Sequence, residues 1–257
     1  MCSLSGCATG STKGSTTGSA VGSRGAVRWV FTTRSDGDLR VPPAQSSPVA
    51  LQLYEQRITA LAEGRRVSWL RQVHGAGVVD VPDPVTHCGT QADAQIIRTP
   101  HAAVAVFTAD CAPVLMITDD GPVAVAVAHV GWRGLLGGVL EHTVAALRNG
   151  RHRSVSAYIG PCIGPECYEF GEGDLSMMVE RCGPVARGVT RAGSPALDLR
   201  AACRAALALL DVGPDVEPDL GFDVTDAGCT ACSGSKWFSH RARADVGRQA
   251  LIAWIKS

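Results

Sequence analysis

AVAVFTADCAPVLMITDDGPVAVAVAHVGWRG, residues 103–134, contains two apolar runs that end in ligand-type side chains. One closes at Cys111 after AAVAVFTAD and the other at His129 after GPVAVAVA; the glycine-rich turn Gly131-Trp132-Arg133-Gly134 follows at once. A short run of Val, Ala and Phe between turn residues reads as a strand buried on both faces, which has no room for a polar side chain until it ends. Asp110, Cys111 and His129 therefore stand where a rigid scaffold can aim them at a ligand. Residues 67–73 (VSWLRQV) repeat the arrangement and end at His74 before the turn Gly75-Ala76-Gly77.

His74, Cys111 and His129 thus each follow an apolar strand. Two imidazoles and a thiolate suit Zn²⁺, and three protein ligands with an open fourth position form the catalytic rather than the structural pattern. The spacing matches no short zinc motif, so the argument rests on the three equivalent strand ends. The turn at residues 131–134 separates a strand from a helix. Its backbone N–H groups and Arg133 can receive an anion such as phosphate, and a tight turn needing glycine for steric reasons is an equal reading.

At 257 residues and 46% hydrophobic content the chain builds a substantial core. Lys plus Arg and Asp plus Glu are equal at 24 each, so no global field favours nucleic acid or an anionic membrane. No window approaches the roughly 20 apolar residues of a membrane span. Residues 1–25 are Gly, Ser and Thr with few large side chains, which predicts a disordered tail. The ten cysteines come with no export signal, so reduced thiols in a cytoplasm are expected. Cys182 and Cys203 lie in helix-like segments and read as core residues. Cys162, Cys167, Cys229 and Cys232 include a C-x-x-C pair, but the partner spacing and the prolines around it fit a structural zinc site poorly, so ordinary thiols are expected.

Strands are predicted at residues 27–31, 67–73, 91–97, 154–159 and 185–190, and residues 78–81 read as a hairpin return. The short connections around the two central runs predict that they pair as an antiparallel hairpin, with turns at Thr99-Pro100 and Asp119-Asp120-Gly121. Helices are predicted at residues 49–63, 135–148, 175–182, 197–210 and 244–255, with turns at 213–218 and a loop at 225–234. Strands and helices mix without a regular βαβ alternation. The expected class is α+β, one domain over residues 26–257 with packed mixed or antiparallel sheets flanked by helices.

Gln72-Val73-His74-Gly75, Ala92-Asp93-Ala94, Thr108-Ala109-Asp110-Cys111-Ala112-Pro113-Val114, Ala128-His129-Val130-Gly131-Trp132-Arg133-Gly134, Ile159-Gly160-Pro161-Cys162-Ile163-Gly164 and Cys167-Tyr168-Glu169-Phe170 resemble successive motifs of the laccase-domain family, long labelled polyphenol oxidoreductase. The resemblance spans residues 29–248. It implies zinc held by His74, Cys111 and His129, and phosphorolysis of adenosine, inosine and 5′-methylthioadenosine with adenosine deamination as a side activity. Other bacterial relatives are described as peptidoglycan-editing factors. Two departures stand out: Glu55-Gln56-Arg57 replaces an Asn-Arg pair, and Phe238-Ser239-His240-Arg241 replaces a Ser-Tyr-Arg-Arg pattern.

The resulting expectation is a zinc-dependent purine nucleoside phosphorylase that binds a nucleoside and phosphate. Cys111, His129, Asp93 and Asp110 are the catalytic candidates, the two aspartates as groups that orient ligands or move protons. Arg57, Arg133, Gly131, Gly134, Ser239, His240 and Arg241 are the substrate and phosphate candidates. A Cys-His amidase, with Cys111 as nucleophile and His129 as its base, is the alternative. Seven histidines without a His-x-His pair disfavour a multicopper oxidase.

Overall fold

The computed structural model describes residues 13–14, 19–43, 45–82, 87–212 and 228–256. In chain order its strands are β1 (Lys13–Gly14), β2 (Ala20–Arg24), β3 (Val27–Phe31), β4 (Arg66–Arg71), β5 (Val78–Asp80), β6 (Thr90–Gln91) and β7 (Ala94–Ile97). They continue as β8 (Ala102–Thr108), β9 (Ala112–Thr118), β10 (Val125–Val130), β11 (Val155–Ile159), β12 (Arg187–Val189), β13 (Pro195–Leu197) and β14 (Gln249–Ile255). The helices are α1 (Pro48–Leu61), α2 (Trp132–Leu136), α3 (Val139–Arg148), α4 (Glu172–Cys182), α5 (Leu199–Ala208) and α6 (His240–Arg243).

Strands that are apolar on both faces need cover on both sides, and two sheets supply it for each other. One sheet has the order β1-β2-β3-β14-β8-β4-β6 and the other β11-β9-β10-β7-β5; β12 and β13 form a separate ribbon. Ala102, Val104 and Val106 of β8 face Leu115, Ile117, Val125 and Val127 of the second sheet across a shared core. Their neighbours Ala103, Ala105 and Phe107 point the other way, to Ile58 and Ala62 at the end of α1. Met116, Ala126 and Ala128 turn outward from the second sheet onto Leu140 and Leu147 of α3, Met178 of α4 and Leu207 of α5. The result is an α+β fold of four layers, with helices outside two packed mixed sheets.

Several expectations change. The runs ending at Cys111 and His129 do not pair with each other: β8 belongs to one sheet, and the hairpin partner of β10 is β9, in the other. Residues 109–111 are the crossing between sheets. The segment expected as a closing helix at residues 244–255 is instead β14, buried along its length and paired antiparallel to both β3 and β8. Its run, apolar at both parities, resembles a buried helix, and the ladder positions open on β3 and β8 decide for a strand. The helix expected at residues 135–148 breaks at Gly137 and Gly138, the latter at φ 86°. β5 pairs in parallel with β7 rather than returning on β4.

Of the tail expected over residues 1–25, Lys13–Gly14 and Ala20–Arg24 are paired strands, and residues 1–12 and 15–18 lie outside the described residues. The turn expected at 213–218 and the start of the loop at 225–234 also lie outside them. No described helix is long and apolar enough to cross a membrane.

Candidate functional site

Register brings the three ligand-type residues to one end of the two sheets. β4 runs parallel to β8, so the chain leaves both on the same side, into His74 and into the crossing that carries Cys111. In the second sheet Val130 pairs with Ala112, the residue that follows Cys111, and His129 with Pro113, which brings His129 to within two residues of Cys111 along the register. Ala128 pairs with Ala94, so Asp93 precedes β7 next to His129, and the His129 N–H donates to the Asp93 carbonyl at 2.7 Å.

The donor atoms of His74, Cys111 and His129 all lie within 4.8 Å of one another. Cys111 Sγ is 3.8 Å from His74 Nε2, and the two imidazoles meet edge to face with centroids 4.7 Å apart. Zinc–sulfur and zinc–nitrogen bonds of about 2.3 and 2.05 Å at a tetrahedral angle give a donor separation of about 3.6 Å, so the triad fits a divalent zinc-type ion. His129 is buried while His74 is exposed, which leaves one side of the group open.

Asp93 organises the triad. Its Oδ1 lies 2.8 Å from His129 Nδ1 and accepts the His74 N–H at 2.9 Å, while Oδ2 accepts the N–H groups of Gly75 at 2.7 Å and Val73 at 3.2 Å. With Nδ1 committed to the carboxylate, His129 presents Nε2 to the site. The same bonds hold His74 at φ 59°, a left-handed conformation that a bulky side chain rarely adopts. Asp110, at φ 94°, is clamped too, accepting from Thr230 Oγ1 at 2.6 Å and the Arg241 N–H at 2.7 Å. Both carboxylates therefore have both of their oxygens engaged in hydrogen bonds.

Electrostatics follow from this packing. Burial raises the Cys111 thiol, but the His129 charge and hydrogen bonds from His129 and His74 outweigh it and bring the group down to about 6. Burial lowers His129, while Cys111 and Asp93 pull it up to about 9. For Asp93 burial raises the carboxyl, and the His129 and backbone hydrogen bonds more than reverse it. Without metal, each group favours the charged form of the other, the Cys111 thiolate beside the His129 imidazolium.

The triad forms one wall of a cavity of about 560 Å³, a size suited to a small metabolite. His240 and Arg241 line it as the sequence predicts, Arg241 lying over the Tyr168 ring at 5.0 Å. Ser239 instead caps α6 by accepting the Ala242 N–H and is fully buried. Arg57 and Arg133 do not line the cavity: Arg57 donates to the Asp38 carbonyl, and Arg133 folds over the Trp132 ring at 4.2 Å. Gly131 and Gly134 serve packing. A Cβ on Gly131 would lie 2.9 Å from His74 Cδ2 and 3.2 Å from Cys111 Sγ, and one on Gly134 would lie 2.9 Å from the Gly75 carbonyl.

Two cavity arginines had no signal in the sequence. Arg40 sits in the proline-rich loop and Arg248 just before a strand read as helix; Asp38 Oδ1 accepts the backbone N–H of both, at 2.8 and 3.0 Å. Gln72 clasps the Phe107 backbone with two 2.8 Å hydrogen bonds, tying the His74 loop to the end of β8.

Fold and site together define a two-sheet α+β protein with a His/Cys triad able to hold a metal ion in an arginine-bearing cavity. The chain belongs to the family described as multi-copper polyphenol oxidoreductase laccase, whose model matches residues 47–256. It is 36% identical over 219 residues to a protein of Xylella fastidiosa strain Temecula1 named purine nucleoside phosphorylase, covering 82% of this chain and 81% of that one. A Mycobacterium tuberculosis H37Rv protein, purine nucleoside phosphorylase Rv2149c, is 34% identical over 90% of this chain and 92% of its own length. Among solved structures, Neisseria meningitidis protein NMB0706 superposes with a TM-score of 0.71 at 29% identity, covering 91% of this chain and 96% of that one.

Proposed function

We propose that this chain is a zinc-dependent purine nucleoside phosphorylase for adenosine, inosine and 5′-methylthioadenosine, with adenosine deamination as a second activity and a cytoplasmic location. The observation that carries this reading is the convergence of His74, Cys111 and His129 on a cavity that also presents Arg40, Arg241 and Arg248. The names of the relatives point the same way.

The two imidazoles and the thiolate would hold zinc, which when bound supplies Lewis acidity at its open fourth position. Everything else falls to the chain. The three arginines place phosphate against ribose C1′, with Arg241 steadied over the Tyr168 ring. A phosphate oxygen bonds to C1′ as the bond to the base nitrogen breaks, and the base leaves with that electron pair. Positive charge gathers on the sugar in between, and an anion fixed by preorganised arginines stabilises it. Two imidazoles at this triad are too few for a multicopper cluster, which sets the oxidase label of the family aside.

One observation favours a second reading. The Cys111 thiolate beside a charged His129 is also the resting state of a cysteine amidase, suited to editing a peptidoglycan precursor. Chelation separates the two. Hypoxanthine release from inosine should vanish with a chelator and return with zinc, whereas thiolate chemistry on an amide should survive metal removal. Base release that persists in the chelated protein would refute the metal-dependent reading.

A further inference from the structure

A second donor cluster lies away from the cavity. The turn Pro165–Cys167 carries Glu166 and Cys167, and the C-x-x-C segment brings Cys229 and Cys232 against it. All four donor atoms fall within 4.8 Å of one another. Cys167 and Cys232 sulfurs are 3.4 Å apart, and Cys232 Sγ is 3.2 Å from Glu166 Oε1. Tetrahedral zinc with sulfur ligands at about 2.3 Å and oxygen at about 2.0 Å needs edges of about 3.8 and 3.5 Å, so a small outward movement of these side chains makes room for the ion.

We propose that Glu166, Cys167, Cys229 and Cys232 form a second, structural zinc site. Glu166 takes the place that the sequence pattern had offered to Cys162, whose buried side chain belongs to the hydrophobic core. Four protein ligands close the coordination shell, which marks the site as structural rather than catalytic. The Gly164 N–H donates to Cys229 Sγ at 3.2 Å, and Arg191 Nη2 lies 3.1 Å from Cys232 Sγ. Both offset the negative charge that three thiolates and a carboxylate carry in excess of the ion. Burial in apolar packing does not explain the cluster, because Cys232 is exposed and the other three donors are only half-buried.

The site would fasten the segment that steadies the catalytic crossing. Cys229 bridges to Cys162 in parallel strand fashion, and the adjacent Thr230 donates its hydroxyl to Asp110, the neighbour of Cys111. Binding converts the three thiols to thiolates and passes their protons to solvent.

Zinc content and thiol mapping test the proposal independently of enzyme activity. Cys111→Ala protein, stripped and reloaded with zinc, should keep one zinc per chain, and the added pair Cys229→Ser and Cys232→Ser should lose it. No zinc in Cys111→Ala, or the same content with and without the added pair, overturns the proposal. Should the triple variant fail to fold, alkylation of the unsubstituted chain decides. Cys167, Cys229 and Cys232 should resist alkylation until a chelator is added, while the exposed Cys88 reacts at once. Immediate reaction of all three overturns it, and so does protection that only a reductant removes, the mark of a Cys167–Cys232 disulfide.

Discussion

Asp93 Oδ1 lies 2.8 Å from His129 Nδ1 while accepting the backbone N–H of His74, so one carboxylate oxygen sets both imidazole ligands. Asp93→Asn keeps the shape but replaces an acceptor with an amide donor facing N–H groups. Zinc affinity should fall 10- to 100-fold, with a stability loss on the order of 2–3 kcal/mol. Competition with a chromophoric chelator and a thermal melt would check both. Affinity within twofold of the parent would show that the carboxylate does not organise the triad.

Gly131→Ala tests the closeness of the same triad. The backbone at Gly131 (φ −85°) is ordinary, so the effect comes from the new methyl against His74 and Cys111. Overpacking of this kind costs roughly 1–3 kcal/mol, and here the atoms that must give way are ligands. Metal content should drop while circular dichroism stays native; full zinc occupancy would contradict the packing.

The pH behaviour of the metal-free pair follows from signs. The depressed Cys111 value contributes stability that is complete above the ordinary thiol value of 9.0 and is lost as pH falls through about 6. The raised His129 value contributes stability that is complete below 6.5 and is lost as pH rises through about 9. Over the shared window the two trends oppose and cancel, because folding only moves one proton from the thiol to the imidazole. Chelated protein should therefore show little stability change from this pair between 6.5 and 9, and iodoacetamide should titrate Cys111 near 6. Zinc needs the neutral imidazole, so binding inside that window should expel one proton from His129. Calorimetry in buffers of different ionisation enthalpy counts it; zero protons would contradict the pair.

The arginines give a kinetic prediction. Arg40 is half-exposed and lines the cavity, so Arg40→Ala should leave the fold intact and raise KM for phosphate roughly 10- to 100-fold, the value of one or two charge-assisted hydrogen bonds. Arg57→Ala should move it little, since that guanidinium is held on the Asp38 carbonyl outside the cavity. The opposite ranking would place the anion elsewhere.

The triad was legible in the sequence because His74 and Cys111 closely follow apolar strands and His129 comes one residue before the end of another. Asp93 was visible as a group that orients ligands or moves protons, but which residues it holds depends on register between β7 and β10. The pairing of the central runs is not legible because a continuous apolar run says that a strand is buried on both faces, not which sheet holds it. β14 was hidden for the same reason: ALIAWI satisfies a buried helix as well as a buried strand. Arg40 and Arg248 are brought together by Asp38, two residues before the first and more than 200 before the second, a meeting that no local pattern announces. The second cluster was half-visible, since C-x-x-C pointed to it but a glutamate supplies the ligand that cysteine spacing could not.

Hypoxanthine release from inosine by the zinc-loaded protein, followed against phosphate concentration, tests the central claim most directly. The account predicts release that requires phosphate, saturates with it and disappears in Cys111→Ala. Release that ignores phosphate, or none from a protein carrying zinc at His74, Cys111 and His129, would contradict it.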